Sequence, residues 1–192
     1  MSFVTKKITI TYPPIIIDLQ NEGAITLLDS SFFRFNYITL TVPNSIMAPP
    51  FILNSPSAQL QFWSGSITFS DLSHSEAFIR NKNGAITFVV MTVTKNLHFE
   101  GHSFIESVGG SFSSSSTLFD SFSSSSDGAI LNGKGTAVTS SLSSFVNCSA
   151  RNGGALAIEL SGASYLQIVH ESTSKFGATF KGQGWSFWAK KL

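Results

Sequence analysis

Residues 145–158 read FVNCSARNGGALAI: a Phe, a short polar patch with Asn, two glycines and then a small apolar run. Weaker copies of the glycine step recur along the chain. Gly-Ala-Ile occupies 23–25, 84–86 and 128–130, and Gly-Gly-Ala-Leu occupies 153–156. Degenerate versions are Gly65-Ser66-Ile67, Gly110-Ser111-Phe112 and Gly177-Ala178-Thr179, and Asn44-Ser45-Ile46 falls midway between the first two glycines of the series. The last glycine of each step, with Asn44 in its place, gives 23, 44, 65, 84, 110, 128, 154 and 177, with gaps of 21, 21, 19, 26, 18, 26 and 23. A pitch this even is the mark of a repeat architecture.

The units between glycines carry short alternating runs, such as Ile38-Thr39-Leu40-Thr41-Val42 and Leu97-His98-Phe99. These are rich in β-branched and aromatic residues and bounded by Gly, Ser, Asn and Pro, which is strand and turn chemistry. No stretch has a helix cap followed by a helical period. A unit of two or three short strands cannot bury its apolar face alone, but stacked units can. A parallel β-helix does this, with each coil about 4.8 Å from the next. At its corners the backbone needs positive φ or has no room for a side chain, which Gly supplies and Asn tolerates. The residue two places after each glycine step then points inward: Ile25, Ile46, Ile67, Ile86, Phe112, Ile130 and Leu156, with Thr179 breaking the rule.

Composition agrees with one domain spanning 1–192, whole or as a segment of a longer protein. Charged residues are 12% of the chain, about half the usual share. Eighteen Phe stand against three Tyr and three Trp, so the interior asks for large groups without a polar handle. Net charge is +1 and no basic cluster exceeds Lys6-Lys7 or Lys190-Lys191, which argues against nucleic acid as a partner. The single cysteine, Cys148, allows no internal disulfide and reads as a small apolar residue in the stack. The first twenty residues do not read as a signal peptide: the apolar run is short, broken by Pro13-Pro14 and ended by Asp18. The longest apolar stretch, 85–93, is too short to cross a membrane as a helix, so no membrane insertion by this chain is expected. The serine-rich stretch 111–126, SFSSSSTLFDSFSSSS, admits a flexible linker, but Phe112, Phe119 and Phe122 favour half-coil repeats anchored by Phe.

The stretch at 145–158 resembles the repeats of the polymorphic outer membrane proteins of chlamydiae, which pair Phe-x-x-Asn with Gly-Gly-Ala-Ile. Phe145, Asn147, Gly153, Gly154, Ala155 and Leu156 carry the match, although Asn147 follows Phe145 by two residues. Phe78-Ile79-Arg80-Asn81, followed by Gly84-Ala85-Ile86, is a second copy. The resemblance implies display on a cell surface or outside the cell, often as an adhesin, with a host-cell or matrix protein or a glycan as partner. It also implies a longer protein with a signal peptide and, in bacteria, a membrane barrel; the C-terminal GWSFWAKKL does not read as one.

The expected fold is therefore all-β: a right-handed, single-stranded parallel β-helix, a pectin-lyase-like solenoid, of about eight coils. The expected function is a surface binding or adhesion module with no catalytic residues, no metal and no cofactor, its binding residues unassigned. One alternative is a β-helix lyase or hydrolase acting on polysaccharide, which needs clustered carboxylates. Asp18, Asp29, Asp71, Asp120 and Asp127 are isolated in sequence, with only Asp120 and Asp127 near enough to meet within a coil. A structural fragment without activity is the other alternative.

Four further patterns need weighing. His98, Glu100 and His102 share one face of a strand and could ligate a metal; an outward polar face opposite Phe99 is the plainer reading. Thr-x-Thr at 9–11, 39–41 and 92–94 is spaced by 30 and 53 residues, which is not expected to align into ranks. Asn147-Cys148-Ser149 is formally a glycosylation acceptor, with a turn role for Asn147 preferred. Trp185, Phe187 and Trp188 could cover the open end of the helix, continue into a further part or stack on a ligand.

Overall fold

The computed structural model describes residues 25–42, 48–69, 76–95, 102–162 and 164–169 in full, and the backbone of the strands Ser2–Phe3, Lys7–Thr11, Ile15–Ile16, Ser73–His74, Glu100–Gly101 and Ala178–Lys181. The described residues form strands and turns and no helix. The strands stack as a parallel β-solenoid. One sheet runs through eight parallel strands: Ser2–Phe3, Ile25–Leu27, Phe51–Leu53, Ile79–Lys82, Ile105–Val108, Leu131–Lys134, Leu156–Glu159 and Ala178–Lys181.

A second sheet follows the same order, with Phe32–Asn36, Gln59–Phe69, Ala85–Lys95, Ser111–Ser115 and Ala137–Ser141 along its centre. Gln59–Phe69 and Ala85–Lys95 are long enough to turn a bend. Their second halves pair with Thr39–Val42 and Leu118–Asp120, and Ser144–Val146 extends that wall. The remaining side is closed by short pairs, of which Ser123–Asp127 with Ser149–Asn152 is the longer.

Register fixes the coil. Ile25 pairs with Phe51, Phe51 with Ile79, Ile79 with Ile105, Ile105 with Leu131 and Leu131 with Leu156. Those five turns hold 26, 28, 26, 26 and 25 residues. The glycine series therefore does not mark one corner of a 21-residue coil. Gly84 and Gly110 stack at the corner entering the second sheet, where Ser111 N–H donates to Gly84 O at 2.9 Å. Gly128 and Gly154 stand at the corner entering the first sheet. Gly65 sits on the bend inside Gln59–Phe69. At Gly110 the glycine is required, because φ is +68° and a Cβ would collide with the Gly84 carbonyl.

The inward positions agree with the sequence reading. Ile67, Ile86, Phe112, Ile130 and Leu156 are buried and Ile25 is half-buried against the core. Ile46 and the side chain of Thr179 lie outside the described residues.

Phenylalanine columns fill the interior. Phe35, Phe62 and Phe88 stack face to face at 5.1 and 4.9 Å, Phe78 on Phe104 at 5.3 Å, and Phe119 on Phe145 at 5.2 Å. Stacking equivalent residues one coil apart brings rings within range of offset contact, which explains the Phe bias. The stretch 111–126 is three strands of one coil rather than a linker, and Phe112, Phe119 and Phe122 are buried. Its inward Ser114 meets Ser140 of the next coil at 2.9 Å, so the two buried hydroxyls satisfy each other.

Two further sequence expectations are corrected by the register. Thr39-x-Thr41 and Thr92-x-Thr94 do align, because 53 residues are two coils; Ser66-x-Thr68 stands between them. Thr9 and Thr11 fall elsewhere, beside Arg34 and Asn36. The two Phe-Asn-Gly copies are also not equivalent. Phe78, Asn81 and Gly84 lie along the first sheet and its exit corner. Phe145 lies on the wall beyond the bend, and Gly154 enters the first sheet.

Candidate functional site

A groove crosses the outer face of the first sheet. Its cavity is about 430 Å³ and is lined by outward residues of three successive coils. Glu106 and Val108, Asn132 and Lys134, and Ala157 and Glu159 alternate with inward neighbours along their strands, as the period of two requires. Asp127 and Asn152, at the ends of the paired strands beside it, add to the lining.

Each carboxylate in the groove has a partner. Glu106 lies 2.8 Å from His102 Nδ1 and 3.6 Å from Arg80, which also pairs with Glu76 at 2.5 Å. Lys134 approaches Glu159 at 3.5 Å. Asp127 accepts hydrogen bonds from Asn152 at 2.8 Å and Arg151 at 3.2 Å. These pairs are partly exposed, so each adds at most about 1 kcal/mol to stability. Their chief effect is to orient carboxylate, amide and ammonium groups toward the groove. The lining mixes polar and apolar groups, and its carboxylates, Glu106, Asp127 and Glu159, outnumber its one ammonium, Lys134.

The residues singled out by sequence fall into several places. Asp127 lines the groove; Asp120 stands on a different sheet, accepting from Asn147 Nδ2 and Ser121 Oγ, both at 3.0 Å. Asp29 is exposed and accepts from Ser55 Oγ. Asp18 and Asp71 lie outside the described residues, as do His98, the side chain of Glu100, Trp185, Phe187 and Trp188. His102 faces Glu106, and among the described residues no three of His, Cys, Asp and Glu gather as a metal site.

Asn147 holds a corner in the left-handed region, φ 52°, and ties its coil to Asp120 of the preceding one. Asn81 plays the fuller capping role. It is buried, accepts from Gly84 N at 2.8 Å, and donates to Gly84 O and Ser107 Oγ, each at 3.0 Å. Cys148 packs against the core and its thiol faces Val146 O at 3.4 Å. Burial pushes its pKa up to about 12, a backbone hydrogen bond at Phe122 partly opposes this, and Asp120 adds to the rise.

Glu106, Asn132, Lys134 and Glu159 were not singled out by sequence. The signal that finds them is spacing at the true coil length: Glu106 and Asn132 are 26 residues apart, and Lys134 and Glu159 are 25 apart.

No protein-family model, curated protein or solved structure matches this chain.

Proposed function

We propose that this chain is a surface-displayed β-helix binding module that holds a glycan along its flank and does no chemistry on it. The observation that carries the reading is the groove on the first sheet. Three coils supply carboxylates, amides and an ammonium group at a regular spacing. Hydroxyl-rich ligands both donate and accept, so a lining that mixes carboxylate, amide and ammonium groups suits them better than it suits an apolar ligand. The likeness of residues 145–158 to surface-protein repeats supports display outside a cell. A glycan array with the wild-type chain and with Asn132→Tyr, which fills the groove floor, tests this. Binding that Asn132→Tyr abolishes supports the groove; binding that it leaves intact removes the groove from the account.

A polysaccharide-active enzyme is the second reading, favoured by three carboxylates, Glu106, Asp127 and Glu159, in one groove. Release of new chain ends from a bound glycan, abolished by Glu106→Gln, Asp127→Asn or Glu159→Gln, would replace binding with catalysis.

A further inference from the structure

The outer face of the second sheet is a different surface. Over five successive coils its outward positions are Phe32, Arg34 and Asn36; Gln59, Gln61 and Trp63; Ala85, Thr87 and Val89; Ser111, Ser113 and Ser115; and Ala137, Thr139 and Ser141. None is an acid and one is charged, Arg34. The three arginines differ in the same sense: Arg80 and Arg151 pair with carboxylates, whereas Arg34 has none among the described residues.

Arg34 is nevertheless held in place. Its Nε and Nη2 both donate to Gln61 Oε1, at 2.9 and 2.6 Å, and Gln61 is itself oriented by a 3.3 Å hydrogen bond to Gln59. Its guanidinium lies 4.6 Å from the Trp63 ring and 5.1 Å from the Phe32 ring. A guanidinium has five N–H donors; among the described residues Gln61 takes two of Arg34's, and the rest face a ligand. A stacked, hydrogen-bonded guanidinium has already lost its rotamer freedom, so it binds a planar or tetrahedral anion at lower entropic cost than a free lysine. Around it the sheet offers amides, then hydroxyls coil after coil, with Trp63 exposed enough to stack on a sugar ring.

We propose that this face binds an acidic polysaccharide, with Arg34 receiving the carboxylate or sulfate and the amide and hydroxyl rows following the sugar hydroxyls. Charge complementarity selects the occupant: among the described residues Arg34 has no carboxylate partner and none of these outward positions is an acid, so the face repels no anionic chain and anchors it at one end. This site does not depend on the groove of the first sheet.

Isothermal titration with a sulfated hexasaccharide, an oligogalacturonate of the same length and neutral cellohexaose tests the proposal and separates sulfate from carboxylate. The wild-type chain binds one or both acidic sugars and not the neutral one. Arg34→Gln weakens that binding roughly 10- to 100-fold, the value of charge-assisted hydrogen bonds. Arg34→Lys restores only a small part, because an ammonium lacks the fork and the stack. Thr87→Glu, one coil from Gln61 and not touching Arg34, weakens binding by setting a like charge on the path. The groove variant Asn132→Tyr leaves it unchanged. The proposal is overturned by absence of acidic-sugar binding, by equal affinity in Arg34→Gln, by full recovery in Arg34→Lys, or by a phosphopeptide binding as tightly as the sugars.

Discussion

Replacing Phe62 by alanine removes the middle ring of a column. Phe62 is fully buried, stacked on Phe35 and on Phe88 with interplanar angles of 8° and 11°, and meets Phe51 edge-on at 5.9 Å. Truncation of a buried Phe costs about 3–5 kcal/mol, transfer and cavity terms together. Each aromatic pair adds about 0.5–1.5 kcal/mol beyond burial, so three lost contacts place this site at the upper end. Against a typical domain stability of about 5–15 kcal/mol that is a large fraction.

The repeat adds a second effect. Coils contact chiefly their neighbours, so a hole at this level weakens the coupling between the coils of Phe35 and Phe88. Urea unfolding followed by far-ultraviolet circular dichroism reads both consequences, a lower midpoint and a shallower transition. Phe32→Ala, outward on the same sheet, is the control and costs under about 1 kcal/mol. A loss below about 1 kcal/mol for Phe62→Ala, with the slope unchanged, refutes the stacked column.

Val90 occupies the left-handed region at φ 54° while 55% exposed, a conformation that costs an ordinary L-residue about 1–2 kcal/mol. Val90→Gly removes that strain, and after the extra chain entropy of glycine the melting temperature rises by about 2–4 °C. Ser114→Ala or Ser140→Ala alone leaves a buried hydroxyl unpaired and costs about 1–3 kcal/mol, whereas the double change is nearly neutral; chemical denaturation of the cycle measures the coupling. Cys148 stays protonated in the folded chain well above the unfolded value. Stability relative to Cys148→Ala is therefore full below pH 9.0 and falls as pH rises toward about 12, where the unfolded thiol ionises first. Thermal melts of both chains across that window check the sign.

How much was legible follows from which residues mark the corners. Ile67, Ile86, Phe112, Ile130 and Leu156 could be set inward because each follows a small step by two residues, and a strand alternates. The coil length could not be read from those steps. Gly65, Gly84 and Gly128 stand at three different corners, so their spacing mixes fractions of a coil. The bend inside the second sheet is held by Tyr37, Ser64, Val90, Ser116 and Leu142, all at φ between 48° and 54°. Tyr37, Val90 and Leu142 in the left-handed region look nothing like turn signals, so this corner, repeated in five described coils, was invisible. The same error of pitch hid the alignment of Thr39, Ser66 and Thr92. Arg34 carried no signal either: a lone arginine becomes a candidate only when register brings Gln61 and Trp63 beside it, with no acid paired to it among the described residues.

The most direct test of the account is the register of neighbouring coils, measured by disulfide formation in a Cys148→Ala background. Thr87→Cys with Ser113→Cys places two cysteines opposite each other in adjacent strands, about 4.8 Å apart and within reach of a disulfide. Thr87→Cys with Val108→Cys uses the 21-residue spacing of the first two glycine gaps and puts the second cysteine on the first sheet. The account predicts rapid, complete cross-linking of the first pair under mild oxidation and none of the second. Cross-linking of the second pair, or of neither, would contradict the 26-residue coil and with it every surface built on that register.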